Sequence, residues 1–289
     1  MKSDQAANLR RQFQQTRKTA KTIVFVSGKG GVGKSNTALN FSMNLLKRGK
    51  RVLLMDMDIG MGNIEVLLGM QCRYSIIDFF ENGISLTEII EKGPRNLRFI
   101  AGGTGLSKLF HMAPASSAYF FEQFSNLFTS FDFIIFDMGA GASEDGMRFI
   151  MAADECFVVA TPEPTAIMDA YSMIKHIIKN KFDMPIYMIM NQVRTTRSGK
   201  QACSEFKQVV HRFLGIEPVQ FALLPSDQLV HKAVMQQCPY TLLNERAPVS
   251  KAMEKMAEAY LSREFDRDTS QEVSFIEKLK KWIEKRQQK

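Results

Sequence analysis

Gly28-Lys29-Gly30-Gly31-Val32-Gly33-Lys34-Ser35 stands between an apolar, β-branched run, Thr22-Ile23-Val24-Phe25-Val26, and a stretch from Asn36 to Arg48 that reads as a helix. Strand, glycine-rich loop and helix in this order form a phosphate cradle. The glycines let consecutive backbone N–H groups turn toward an anion with no Cβ in the way, and the start of the helix adds partial positive charge. Lys34 can reach the β and γ oxygens of a nucleoside triphosphate, Ser35 can ligate Mg2+, and Asn36 closes the phosphate-contacting segment. An ordinary strand-to-helix turn would need neither the two lysines nor the serine.

Outward from the loop, apolar strands alternate with helical stretches. Arg51–Asp58, Leu97–Ile100, Phe133–Asp137, Cys156–Ala160, Ile186–Asn191 and Val219–Leu224 are separated by segments long enough for right-handed crossovers. The expectation is a doubly wound α/β unit with a mostly parallel sheet flanked by helices, and 289 residues suit one such unit with appendages. Parallel sheets place ligands at the carboxyl ends of their strands, where Asp56 and Asp58, Asp137, and Asn191 fall. Asp137 closes an apolar run and is expected to hold Mg2+ through water, while Gly139 and Gly141 permit the backbone behind it to approach a γ-phosphate and move when that phosphate leaves. By pattern alone Asn191 and Pro225 also read as turn residues.

Cys72, Cys156, Cys203 and Cys238 have no C-x-x-C spacing, so neither a zinc site nor a disulfide framework is suggested, and the four histidines show no ligand spacing. The first 21 residues are polar and basic with no apolar signal segment, and no apolar run approaches the ~20 residues of a membrane span, so a cytosolic chain is expected.

Lys29 is unusual, because the common phosphate loop has no basic residue there. With it, Lys29 to Ser35 reads KGGVGKS, which resembles the deviant Walker A family, the MinD/ParA ATPases. The resemblance implies an ATP/ADP site with Mg2+ and a face-to-face homodimer closed by ATP, in which Lys29 contacts the partner's phosphates. It implies that Asp58, in a switch I continued by Gly60-Met61-Gly62-Asn63-Ile64-Glu65, lies at the attacking water and near the metal. It also implies that Asn191 hydrogen-bonds the adenine edge and that Pro225, Ser226 and Asp227 flank the ring. The expected catalytic residues are Lys29, Lys34 and Asp58, and the expected metal residues are Ser35, Asp58 and Asp137. Iron–sulfur relatives carry cysteines near switch II, and Asp137-Met138-Gly139-Ala140-Gly141 has none.

The charge sits in the tails. Residues 1–22 carry six Lys/Arg against Asp4, a net of +5, and residues 275–289 carry six against Glu277 and Glu284, a net of +4. Subtracting both from the total of +8 leaves −1 for the body, which suits docking appendages better than a DNA-coating surface, so nucleic acid is not an expected partner. Phe275, Ile276, Leu279, Trp282 and Ile283 share one helical face flanked by lysines, the pattern of an interfacial anchor for an anionic membrane and also of a final helix packed on the body. The charged stretch Ser262–Gln271 reads as a linker and favours a detachable helix, and MinD carries its membrane-targeting helix in the same place.

At the other end Asp4-Gln5-Ala6-Ala7-Asn8-Leu9-Arg10 is a basic arm by pattern. It also resembles the DQAxxLR element of the flagellar MinD-like ATPases of the FlhG (YlxH/FleN) type, which activates the SRP-type GTPase FlhF. That resemblance implies a role for Gln5, Leu9 and Arg10 in GTPase activation, reversible attachment to the inner face of the cell membrane, flagellar C-ring proteins as further partners, and control of flagellar number or placement. The expected organisation is an arm over 1–21, an ATPase domain over 22–261, a linker over 262–271 and an amphipathic helix over 272–289. A ParA-type DNA segregation ATPase would need a basic stripe on the body, and a small-molecule ligase such as dethiobiotin synthetase would need neither tail.

Overall fold

The structure, a computed structural model, describes residues 19–58, 62–102, 114–141, 143–180, 184–265 and 275–287. The elements run β1 (Lys21–Val26), α1 (Lys34–Lys47), β2 (Val52–Met57), α2 (Ile64–Leu68), α3 (Ile76–Asn82), β3 (Glu91–Lys92), β4 (Arg98–Ile100), α4 (Pro114–Ser130), β5 (Phe133–Met138) and α5 (Glu144–Ala152). They continue with β6 (Glu155–Ala160), α6 (Pro164–Lys179), β7 (Ile186–Val193), α7 (Thr196–Leu214), β8 (Val219–Pro225), α8 (Gln228–Met235), α9 (Tyr240–Leu243), α10 (Pro248–Phe265) and α11 (Phe275–Gln287).

The eight strands lie in the order β3-β4-β2-β5-β1-β6-β7-β8. All pairs are parallel except the short edge strand β3, which runs antiparallel to β4. Because successive side chains point to opposite faces, each apolar strand feeds two cores. Val24, Leu53, Met55, Ile134, Phe136, Val158 and Met188 meet α3 to α7 and α11 on one face. Ile23, Phe25, Leu54, Ile135, Phe157 and Ile189 meet α1, α2 and α8 to α10 on the other.

The helix after β1 and the helix after β5 therefore cover opposite faces, although β1 and β5 are neighbours. That divergence opens a crevice at their carboxyl ends, the place where open α/β sheets bind ligands. Register pairs Phe25 with Asp137 and Asp56 with Asp137, so the three strand ends come level there.

The carboxyl-terminal helix, whose apolar face suits either a membrane or the body, is docked on the body in this structure. Phe275 is buried among Phe136, Phe128, Phe124 and Phe149, with ring centroids at 5.2, 5.5, 6.0 and 6.0 Å. Leu279 is fully buried and Ile276 packs beside it, while Lys278 Nζ lies 3.7 Å from Asp154 Oδ1. The cause is the groove between α4 and α5, which would otherwise expose phenylalanine rings to water. The side chains of Trp282 and Ile283 lie outside the described residues. Residues 262–265, expected in the linker, form the last turn of α10, and 266–274 lie outside the described residues.

Candidate nucleotide site

The phosphate loop is built by two left-handed glycines. Gly31 has φ +81° and Gly33 φ +85°, values that a Cβ would strain, and Gly33 is the residue from which α1 starts. Among the described residues no side chain caps that helix start, which leaves its first N–H groups available to an anion. Gly28 has a different reason to be glycine: a Cβ there would fall 2.1 Å from the Asp169 carbonyl oxygen on α6. The sequence did not signal that contact.

Lys34 and Asp137 meet in the crevice. Lys34 Nζ pairs with Asp137 Oδ1 and lies 3.4 Å from Ser35 Oγ; the two side chains are 7% and 0% exposed. Burial pushes the Asp137 carboxyl above the usual carboxylate range, with Lys34 opposing the shift. Ser35 also hydrogen-bonds this carboxyl, and among the described residues its second oxygen, Oδ2, is buried with no partner of its own within hydrogen-bond distance. A buried carboxylate beside a serine hydroxyl, at the mouth of a helix N-terminus, is the hard-oxygen environment that Mg2+ accepts, since that ion uses one or two protein oxygens and completes its shell with water and phosphate. The residues present therefore fit Mg2+.

Asp58 is half-buried across the crevice, with Asn63 Nδ2 donating to its Oδ2 at 3.3 Å. A Cβ on Gly139 would come within 3.2 Å of Asp58 Oδ1, so the expected switch segments approach closely because that residue is glycine. Between them lies a cavity of about 130 Å³ lined by Met57, Asp58, Met138, Gly141, Ser143 and Ile150. Gly141 N donates to Ser27 O at 3.1 Å, tying the segment after β5 to the phosphate loop. Residues 59–61, within the expected switch I, lie outside the described residues.

On the other side, Asn191 Nδ2 donates to Val32 O at 2.8 Å, and Gln192, at φ +56°, reaches Gly31 O at 3.5 Å. Pairing of Val193 with Pro225 brings Ser226 N to Val193 O at 2.9 Å, so the two expected base-pocket segments do meet. Asp227 serves the fold there: its Oδ1 accepts from Leu229 N at 2.9 Å and caps α8. Lys29 points outward, 46% exposed, with Nζ 3.4 Å from Thr165 Oγ1 and 4.0 Å from Glu163 Oε2 on the same chain. Glu163, Thr165 and Gln192 are neighbours that sequence reading missed; polar residues just beyond the expected strand ends were the available signal. Gln5, Leu9 and Arg10 lie outside the described residues.

Residues 20–186 match the family model described as an AAA domain. The chain is 31% identical over 230 residues to the antiactivator FleN of Pseudomonas aeruginosa, covering 80% of this chain and 81% of that protein. This chain belongs to the MinD/ParA family of P-loop ATPases. Within the family it is also 32% identical over 218 residues to the flagellum site-determining protein YlxH of Helicobacter pylori, covering 75% of this chain and 74% of that one. The fold agrees with that of the septum site-determining protein MinD from Pyrococcus horikoshii, solved with Mg-ADP, at a TM-score of 0.68 and 20% identity over 87% of this chain and 100% of that one. MinD/ParA membership makes the chain an ATPase. The four cysteines are free thiols.

Proposed function

We propose that this chain is a Mg2+-dependent regulatory ATPase that dimerises with ATP, attaches reversibly to the membrane through α11 and sets flagellar number or placement. The buried Lys34–Asp137 pair beside Ser35 carries the reading. Ser35 and Asp137 would hold Mg2+, Asp137 through water, with Asp58 nearby; the bound ion would neutralise charge on the β and γ oxygens. The chain's own residues do the rest. The loop N–H groups and Lys34 bind the phosphates, Asp58 orients and deprotonates the attacking water, and Gly139 and Gly141 let the following segment report whether a γ-phosphate is present. Outward-pointing Lys29 is free to exchange Thr165 and Glu163 for phosphates of a second copy. Asn191, Pro225, Ser226 and Asp227 border the base.

In this structure Phe275 and Leu279 are buried, so membrane attachment requires α11 to leave its groove. Each helix buries few apolar residues, and a dimer presenting two binds far better through effective concentration. Among the described residues no helix is long and apolar enough to cross a membrane. We assign the arm over 1–21 to FlhF activation on the resemblance of Asp4–Arg10 to the DQAxxLR element, and take C-ring proteins as further partners on the same family resemblance.

Light scattering tests the switch. Asp58→Ala should bind ATP, hydrolyse it slowly and accumulate as dimer, whereas Lys34→Gln should stay monomeric; a monomeric Asp58→Ala in saturating ATP and Mg2+ refutes the dimer. Sedimentation with anionic liposomes in ADP and in a non-hydrolysed ATP analogue, with a DNA-binding control, tests the membrane half. DNA binding without liposome binding would replace it with the segregation reading.

A further inference from the structure

Asp56, the penultimate residue of β2, is 0% exposed, and its carboxylate is occupied by the backbone of the segment that follows. Oδ1 accepts from Asp58 N at 3.0 Å, and Oδ2 accepts from Asn63 N at 2.7 Å and from Ile64 N at 3.1 Å. The donors sit at the two ends of one loop, so a single side chain ties both ends to the sheet. Asn63 passes the constraint on, because its side-chain amide donates to Asp58 Oδ2 at 3.3 Å. Behind the carboxyl stands Gly102, where a Cβ would lie 2.9 Å from Asp56 Cγ. Walled on that side and saturated by backbone donors on the other, Asp56 is not presented to the crevice as a ligand.

We infer that Asp56 is a positioning residue that clamps both ends of the Asp58–Ile64 loop and so holds Asp58, directly and through Asn63, at the reacting end of the crevice. The inference rests on the ATPase reading of Asp58. Gly102 belongs to the same device, since the clamp works only if its carboxyl can sit against a residue without a side chain.

Asp56→Asn tests this, because an amide cannot accept at both ends of the clamp. In the full-length chain, ATP affinity should stay within about threefold of wild type while kcat falls at least tenfold, about 1.4 kcal/mol of barrier. In nucleotide-free protein the amides of Asp58, Asn63 and Ile64 should exchange about tenfold faster, with the β5 amides unchanged. Gly102→Ala should reproduce both effects, and the double variant should be no slower than the slower single, since both act through one contact. Should Asp56→Asn not fold, Gly102→Ala carries the same readouts. Wild-type kcat, strictly multiplicative losses, unchanged exchange at the three amides, or loss of ATP affinity with kcat retained would each overturn the inference. If wild-type protein itself hydrolyses no ATP, the ATPase reading has failed, and the exchange measurement still decides the clamp.

Discussion

Replacing Asp137 by Asn strands the Lys34 ammonium in a site where it is 7% exposed. Breaking a buried pair by removing one partner costs about 3–5 kcal/mol. At about 2–4 °C per kcal/mol for a domain of this size class, nucleotide-free Asp137→Asn should melt about 6–20 °C below wild type. Lys34→Met should cost less, because the stranded partner can take up a proton. Burial already holds the Asp137 carboxyl above its ordinary value of 3.8, with Lys34 as the leading influence against that shift, so removing Lys34 raises it further. A folded-state value above the unfolded one means the native state binds a proton that the unfolded state has lost. The stabilisation is therefore complete below 3.8 and is lost as pH rises through the folded value, so the Lys34→Met penalty should shrink between pH 8 and pH 5. Lys34→Met/Asp137→Leu, which removes both charges, should return to within about 1 kcal/mol of wild type while binding no nucleotide. Urea unfolding of all four proteins in EDTA at the two pH values completes the cycle. An Asp137→Asn protein within about 1 kcal/mol of wild type, or a double variant less stable than either single, would refute the reasoning.

Phe275→Asp should abolish sedimentation with anionic liposomes in ATP and also lower the melting temperature, because a charge would replace a ring enclosed by four phenylalanines; a variant with unchanged melting would place the helix off the body. A peptide of residues 1–22 should accelerate GTP hydrolysis by FlhF, with Gln5→Ala lowering the stimulated rate more than affinity and Leu9→Asp lowering affinity itself; binding without acceleration would reduce the arm to a basic leader. Burial, with the Asp137 charge second, raises the Asp56 carboxyl to about 6, so this group makes nucleotide-free protein less stable as pH rises from 3.8 to about 6. Comparing the pH dependence of unfolding with that of Asp56→Asn should reveal a difference of about 3 kcal/mol across that window, and parallel curves would show that Asp56 titrates normally.

The parts of the site legible in the sequence were those whose chemistry is local. A glycine loop needs its glycines adjacent and its lysine at a fixed offset, so Gly28 to Ser35 could be recognised from neighbours in the chain alone. Strand-end carboxylates were legible because an unbroken apolar run of strand length marks a buried strand, and Asp137 falls where that run stops and the chain leaves the sheet. Asp227 was a less secure reading, since capping a helix and bordering a base call for the same residue type at the same strand end, and its carboxylate caps α8. The clamp role of Asp56 depends on N–H groups whose directions arise only when the loop returns to start α2.

From residue order alone came the alternation of apolar strands with helices, hence a parallel sheet buried on both faces, and the phosphate loop at the end of its first strand. Those follow from periodicity and backbone sterics, which act over a few residues. Tertiary structure decided which strand ends share the crevice, because Lys34 and Asp137 are 103 residues apart and meet only when β5 inserts beside β1. It also decided the fate of the carboxyl-terminal helix. An amphipathic face satisfies a lipid surface and a protein groove by the same burial of apolar area, and only the four phenylalanines brought together by α4, β5 and α5 show that Phe275 has a place in the core.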